Sequence, residues 1–491
     1  MKRQFVSALL LALLPIAWTH AEFTNIDEAL KAAQAKQQPV FIDFSAVWCH
    51  SCHAMDDQVL NGADWDSRLN RMVLVRSDAD GENGDAWMKK LKVPSLPTYI
   101  VLNPDGSERG RLVGEIKRAE FYPSLDRLLD GSDGVAKLKA DAAKGSVDAV
   151  VKVLDAYNRR EDAPAGMTWY ASLPEATRKA VQNDANATTH LHMAEMHADS
   201  GAILNALTAP RKAKGKSSSA APAPTPEQVQ LSERCIQHGQ QALRGELTTD
   251  QRLDVAQTMF GWCSEYLSLA QKKALAQAQL PAIQALYDKD MPNGGSGLLR
   301  DATHLLASLQ RVSDKSAQEK AATSSMTDVD AEYKKVDEQG EADPAVKAVY
   351  RRAVAIGRKA LDDGHGGFDV KRDRSMGMVL AEMMHYAGLK DDRIVLDKAM
   401  ADAYPDDFFC QLNYGEDLLK NGKAAEALPY LEKASALANE GYKLNTTYQR
   451  AKALVALNRR PEAEKLFQDA MRQEEKKFPD RAKFEKQYMK L

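Results

Sequence analysis

The chain has 491 residues and a formal net charge of −3, with 66 Lys and Arg against 69 Asp and Glu. A mildly acidic chain of this length can bury several ordinary cores, and its charge gives no case for binding nucleic acid or anionic lipid. Five cysteines are too few for a scaffold built on disulfides.

The first residues read as an export signal. Lys2 and Arg3 supply a positive start, Phe5 to Trp18 is apolar apart from Ser7 and Pro15, and Thr19-His20-Ala21 offers small residues for a cut after Ala21. The run is short for a membrane span, so membrane contact is expected only through this transient segment, with an uncleaved anchor as the alternative. Loss of Lys2 and Arg3 takes the net charge from −3 to −5. An export signal followed by a Cys-x-x-Cys pair points to a bacterial periplasm, where disulfides persist.

Val40-Phe41-Ile42-Asp43-Phe44 is an apolar run rich in β-formers and reads as a buried central strand interrupted by one acid. Trp48-Cys49-His50-Ser51-Cys52 follows, and Cys52 to Leu60 carries no Gly or Pro and reads as helix. A thiol at a helix N-terminus faces unpaired N–H groups and the positive end of the dipole, which favour thiolate over thiol. Cys49 is therefore expected to be the exposed attacking sulfur and Cys52, one turn on, the partly buried resolving sulfur. His50 is expected to add positive charge when protonated, and Ser51 a hydrogen bond. Further on, Pro97 opens a second apolar strand in Val93-Pro94-Ser95-Leu96-Pro97-Thr98-Tyr99-Ile100, where proline normally weakens a ladder. A cis Leu96–Pro97 bond beside the dithiol, exposing backbone for an extended substrate, is one reason to place it there.

Asp43 to Cys52, with Leu96-Pro97-Thr98, resembles the thioredoxin-like family. The order of elements agrees: a helix at Ile26–Lys36, the strand Val40–Phe44, a strand at Met72–Ser77, a helix at Asp85–Leu91, a hairpin turn at Pro104-Asp105-Gly106 and a closing helix at Glu120–Leu129. Within that family the chain is most similar to the C-terminal periplasmic domain of transmembrane disulfide reductases, through the cysteine pair, Met55, Val59-Leu60 and Leu-Pro-Thr. The resemblance covers roughly residues 25–131 and nothing beyond, and the domain that carries it is expected at 22–131. It implies Cys49 as nucleophile, Cys52 as resolver, Pro97 as the cis proline and Asp43 as a buried acid relaying a proton for Cys52, with Trp48, His50, Ser51 and Leu96 in support. It implies no cofactor beyond the cysteine pair. The His-Ser dipeptide departs from the Gly-Pro of thioredoxin proper and leaves open whether the pair reduces, oxidises or isomerises. The competing reading of the pair as half a zinc site lacks a second Cys-x-x-Cys.

After Gly131 the chain turns rich in Ala, Leu, Lys, Glu and Gln, with apolar residues at helical spacing, as in Val346–Leu361. Residues 132–211 read as a helical segment, 212–226 as a disordered Ser/Ala/Pro linker, 227–400 as a helical domain with a break at Met291–Gly297, and 401–491 as helical repeats. Gly422, Glu426-Ala427, Leu431 and Ala434 recur 36 positions later as Asn458, Glu462-Ala463, Phe467 and Ala470, and Gly388 and Ala399 mark a weaker earlier copy. The pattern looks like a tetratricopeptide repeat, which usually presents a concave surface to peptides or proteins. The fold class expected is thus an α/β thioredoxin-like domain followed by an all-α, tetratricopeptide-like region.

Cys235 and Cys263 lie symmetrically about Thr249, in a stretch read as a helical hairpin, so a structural bridge competes with two separately buried thiols. Cys410, beside Phe408, Phe409 and Leu412, reads as a small core residue. His190, Met193 and His197 would share a helical face in a spacing that suits copper, but an ordinary helix burying Met and exposing His is the plainer reading, and no metal is expected. Asp78 to Asn83 reads as a polar turn, since its register does not fit a calcium loop. The function expected is an exported thiol–disulfide oxidoreductase, a reductase by its family likeness. Its partners would be protein or small-molecule disulfides and an electron-donor thiol protein. The alternative is an interaction or chaperone-like module with a redox-sensing dithiol.

Overall fold

The computed structural model describes residues 22–132, 134–208, 223–313, 343–438, 442–473, 486 and 488–490. The expected export signal at 1–21 and most of the expected linker lie outside the described residues.

The first unit contains α1 (Ile26–Lys36), β1 (Val40–Ser45), α2 (His50–Gln58), α3 (Gly62–Leu69), β2 (Val73–Asp78), α4 (Glu82–Leu91), β3 (Thr98–Leu102), β4 (Glu108–Val113) and α5 (Arg118–Leu129). The strands form one sheet in the order β2-β1-β3-β4. β1 runs parallel to β2, pairing Val40 with Val73, and antiparallel to β3, pairing Phe44 with Thr98. Helices cover both faces, which is why β1 and β3 read as nearly continuous apolar runs rather than alternating ones. Ile42 and Phe44 pack with Ile26, Ala29 and Trp87 on one face. Phe41 and Tyr99 pack with Met55, Trp65, Phe121 and Leu125 on the other. Asp43 shares the face of Phe41, because side chains alternate along a strand.

The remaining described elements are helical: α6 (Val135–Ala143), α7 (Val147–Asn158), α8 (Ala163–Ala171), α9 (Glu175–Asn183), α10 (Ala185–Thr208), α11 (Pro226–Ala242), α12 (Thr249–Thr258), α13 (Leu269–Asp290), α14 (Ser296–Ser313), α15 (Pro344–Ala360), α16 (Arg374–Ala387), α17 (Lys390–Ala403), α18 (Phe408–Lys420), α19 (Ala424–Leu437), α20 (Lys443–Ala456) and α21 (Arg460–Gln473). Some boundaries differ from the sequence reading. Pro226, taken as the end of the linker, is the first residue of α11, because Thr225 forms a capping box with Gln228. The break at Met291–Gly297 is one 3₁₀ turn, and α14 already begins at Ser296. Helix α2 starts at His50 and stops at Gln58, with Val59 and Leu60 turned into the core beyond it.

Gly388, Gly422 and Asn458, the residues that mark the repeat, all take left-handed backbone angles, φ 73°, 76° and 60°. Each ends or follows a helix, where such a residue turns the chain into the next one. Gly415 on α18 lets Leu431 of α19 approach: a Cβ there would lie 2.7 Å from Leu431 Cδ2.

Candidate active site

The turn after β1 brings Cys49 to the N-cap of α2, held by a hydrogen bond from its N–H to the Ala46 carbonyl at 3.0 Å. Cys49 has extended backbone, and its sulfur accepts from the Cys52 N–H at 3.1 Å. The two cysteines are joined as a disulfide, with Cα atoms 5.2 Å apart. On reduction, the same N–H and the positive end of α2 would face a Cys49 thiolate and lower its pKa. Trp48 stays 39% exposed and donates its indole N–H to Asp80 at 2.9 Å, tying the turn to the end of β2. The His53 ring meets the Val47 carbonyl at 2.9 Å.

The Leu96–Pro97 peptide is cis. Leu96 packs against Ala46, Cys49 and Cys52, which brings the distant proline segment beside the pair. The Pro97 carbonyl accepts from Gly114 at 2.9 Å. Asp43 is only 2% exposed, and burial together with the neighbouring Asp56 carboxylate raises its pKa to about 7 despite Arg76 at 3.1 Å. Arg76 is shared with Asp56 at 2.7 Å and Glu22 at 3.2 Å, so Asp43 receives only part of its charge.

A family model described as a thioredoxin-like domain matches residues 26–129. Residues 26–129 are a thioredoxin-like domain. The thiol:disulfide interchange protein DsbD 2 of Pseudomonas aeruginosa is 33% identical over 117 residues, covering 22% of this chain and 20% of that protein. The thiol:disulfide interchange protein DsbD of Ralstonia nicotianae is 35% identical over 109 residues, covering 22% and 18%. A solved thioredoxin from Thermus thermophilus is 30% identical, covering 22% of this chain and 87% of that one, with a TM-score of 0.21. The chain spans about a fifth of the length of these curated relatives.

The thioredoxin-like domain differs from the sequence reading at its surface. Cys49, expected to be exposed, is 5% exposed, and Cys52 is 3% exposed. Both sulfurs pack among Ala46, Ala79 and Leu96 of the same domain, and the helical region packs α16 and α14 against α2 beside them. The Ser375 hydroxyl, at the start of α16, donates to the His50 carbonyl. Glu115, just after β4, accepts from the Ser296 hydroxyl at 3.1 Å and the Gly297 N–H at 3.3 Å, and also from the Ser51 hydroxyl. Burial raises the pKa of Glu115, while these donors oppose the rise. Burial likewise lowers the pKa of His50 to about 4, with Arg300 and Arg374 adding to the fall and Glu382 opposing it. The lowered pKa keeps His50 neutral at pH 7, so the charge it could lend Cys49 when protonated is confined to acid pH. Ser51 does make a hydrogen bond, but to Glu115. Sequence reasoning missed Glu115, Ser375 and Gly297; the one trace of them was the Gly-Gly-Ser-Gly run at 294–297, which read only as a break.

The other candidates are placed in helical cores. Cys235 and Cys263 form a disulfide, Cα atoms 5.5 Å apart, beside buried Met193, Met196 and Met259. His190 pairs with Asp155, His192 with Glu195 and His197 with Asp254, each at 2.9 Å. Among the described residues, no group of three or more His, Cys, Asp or Glu side chains is arranged to hold a metal. Burial pushes the Cys410 thiol up to about 12, so it is inert at neutral pH. Among the described residues, no helix is long and apolar enough to cross a membrane.

Proposed function

We propose that this chain is an exported protein-disulfide reductase of the periplasm, working through Cys49 and Cys52. One observation carries the reading: the bonded pair sits at the N-cap of α2 with a backbone N–H aimed at the Cys49 sulfur. The chain's similarity to thiol:disulfide interchange proteins supports the chemistry.

In the reduced protein, the Cys49 thiolate attacks one sulfur of a substrate disulfide. A Cys49–substrate mixed disulfide forms, and the other substrate sulfur leaves as a thiolate that takes a proton from water. Cys52 passes its proton to the Asp43 carboxylate and attacks the Cys49 sulfur. The Cys49–Cys52 disulfide forms and the second substrate thiolate departs. Two electrons have moved from the pair to the substrate, and an electron-donor thiol protein returns them. A carboxyl held near pH 7 is half-ionised where it must accept that proton, which suits a relay. The substrate backbone lies against Leu96-Pro97, and the tetratricopeptide-like helices hold client or donor.

Reduction of insulin and of oxidised glutathione by the mature protein with a competent reductant tests catalysis; Cys49→Ser should abolish both, and a wild type no faster than that variant on either disulfide counts against the reading. Equilibration of the pair with glutathione tests direction, and a potential near that of strong oxidants would overturn the reductase assignment. Burial of both sulfurs also suits a redox-sensing interaction module, which predicts no turnover of either disulfide.

A further inference from the structure

Exposure around the dithiol is one-sided. Val47 and Trp48, before Cys49, are 40% and 39% exposed, and Pro94 and Ser95, before Leu96, are exposed as well. On the other side, His50 and Ser51 lie beneath the start of α14 and the start of α16. Two clasps fix that cover. Glu115 sits at the N-terminus of α14, where the Gly297 N–H and the Ser296 hydroxyl meet its carboxylate, a placement the helix dipole favours. Ser375 ties α16 to the first carbonyl of α2. The approach is close: a Cβ on Gly295 would lie 2.6 Å from Glu115 Oε1 and push that carboxylate aside, and one on Gly297 would lie 3.2 Å from Glu115 Oε2 and 3.3 Å from Ser51 Oγ.

We infer that this wall decides specificity. Glu115, Gly297 and Ser375 hold the helical region over the His50–Ser51 side of the pair, so that Cys49 is reached along the Val47–Trp48 and Pro94–Ser95 side by a disulfide carried on a narrow or extended chain, and not by one embedded in a folded surface. A folded surface would collide with α14 and α16 before its sulfur came within bonding distance of Cys49. The inference rests on the oxidoreductase reading for its substrate, but the wall itself does not.

The test uses the full mature chain, wild type, Gly297→Leu and Ser375→Ala, each confirmed folded by its thermal melt. Leucine at 297 props α14 away from Ser51, and alanine at 375 releases one clasp. Two ratios are measured. The first compares alkylation of reduced Cys49 by a polyethylene-glycol maleimide with alkylation by N-ethylmaleimide, read by peptide mass. The second compares reduction of insulin with reduction of oxidised glutathione. Both ratios should rise in the variants, by several-fold to about tenfold, since a lost buried hydrogen bond is worth that much in an opening equilibrium. Ratios unchanged in both folded variants would overturn the wall. A rise in the alkylation ratio with no reduction of either disulfide by any form supports the wall and sinks the oxidoreductase reading instead.

Discussion

Asp43 and His50 are two buried titrating groups of the thioredoxin-like domain, and they pull stability in opposite pH directions. The Asp43 carboxyl ionises at about 7 when folded, against an ordinary 3.8. The folded state keeps that proton where the unfolded chain has lost it, so stability falls as pH rises from about 4 to about 7. Asp43→Asn should remove this fall and leave the oxidised protein more stable than wild type at pH 8, by about 1–4 kcal/mol. Urea melts at pH 5 and pH 8 check it, with a gap that closes at the lower pH. The same variant should accumulate mixed disulfide with substrate, because Cys52 loses its proton acceptor. His50 works the other way: with a folded pKa of about 4 against 6.5, its contribution is intact above about 6.5 and lost as pH falls towards 4. Being neutral at pH 7, His50 should not set the acidity of Cys49. His50→Gln is expected to leave the pH profile of Cys49 alkylation in place, and a rise of about one unit would show that the imidazolium was helping.

At the scale of elements, the helical region is joined by turns whose chemistry is local. Gly422 takes φ 76°, which costs an L-residue about 1–2 kcal/mol. Gly422→Ala should lower stability by about 1 kcal/mol in a chemical melt without touching the redox pair. The Cys235–Cys263 bridge closes a separation of 28 residues. A loop of that length is worth about 3–4 kcal/mol through the entropy of the unfolded chain. The double variant Cys235→Ala, Cys263→Ala should therefore melt several degrees lower, while insulin reduction at 25 °C persists. These two cysteines were matched in sequence by their symmetry about Thr249, and Thr248 does cap α12 there. The capping boxes at Thr225, Thr248 and Ser268 are local signals of this kind. The helices were legible from composition and apolar spacing, while the box at Thr225 went unread and left Pro226 in the linker.

Across the whole molecule the cores are separate. The two faces of the sheet, the α6–α10 cluster, the disulfide-bearing cluster, the cluster around α12–α17 and the repeat cluster each bury their own set of side chains. Scanning calorimetry should accordingly show a calorimetric enthalpy above the van't Hoff value, the mark of more than one cooperative unit. One sharp transition with equal enthalpies would mean that the contacts of α2 with α14 and α16 couple the units more strongly than their few hydrogen bonds imply.

Local order was written in the chain. The apolar run Val40–Phe44, the tetrad Cys49 to Cys52 and the strand after Pro97 each act over a few residues through β-propensity, a helix terminus and a fixed proline angle, and each is visible without the fold. The covering of the dithiol was not visible. Ser375 meets His50 across 325 positions and Gly297 meets Glu115 across 182. Neither pair has a periodicity or composition to announce it, because such contacts arise only when separately folded layers pack. The covalent chemistry of the sulfurs was therefore legible from residues alone, while the cover over His50 and Ser51 was decided by tertiary packing, whose burial of His50 lowers its pKa.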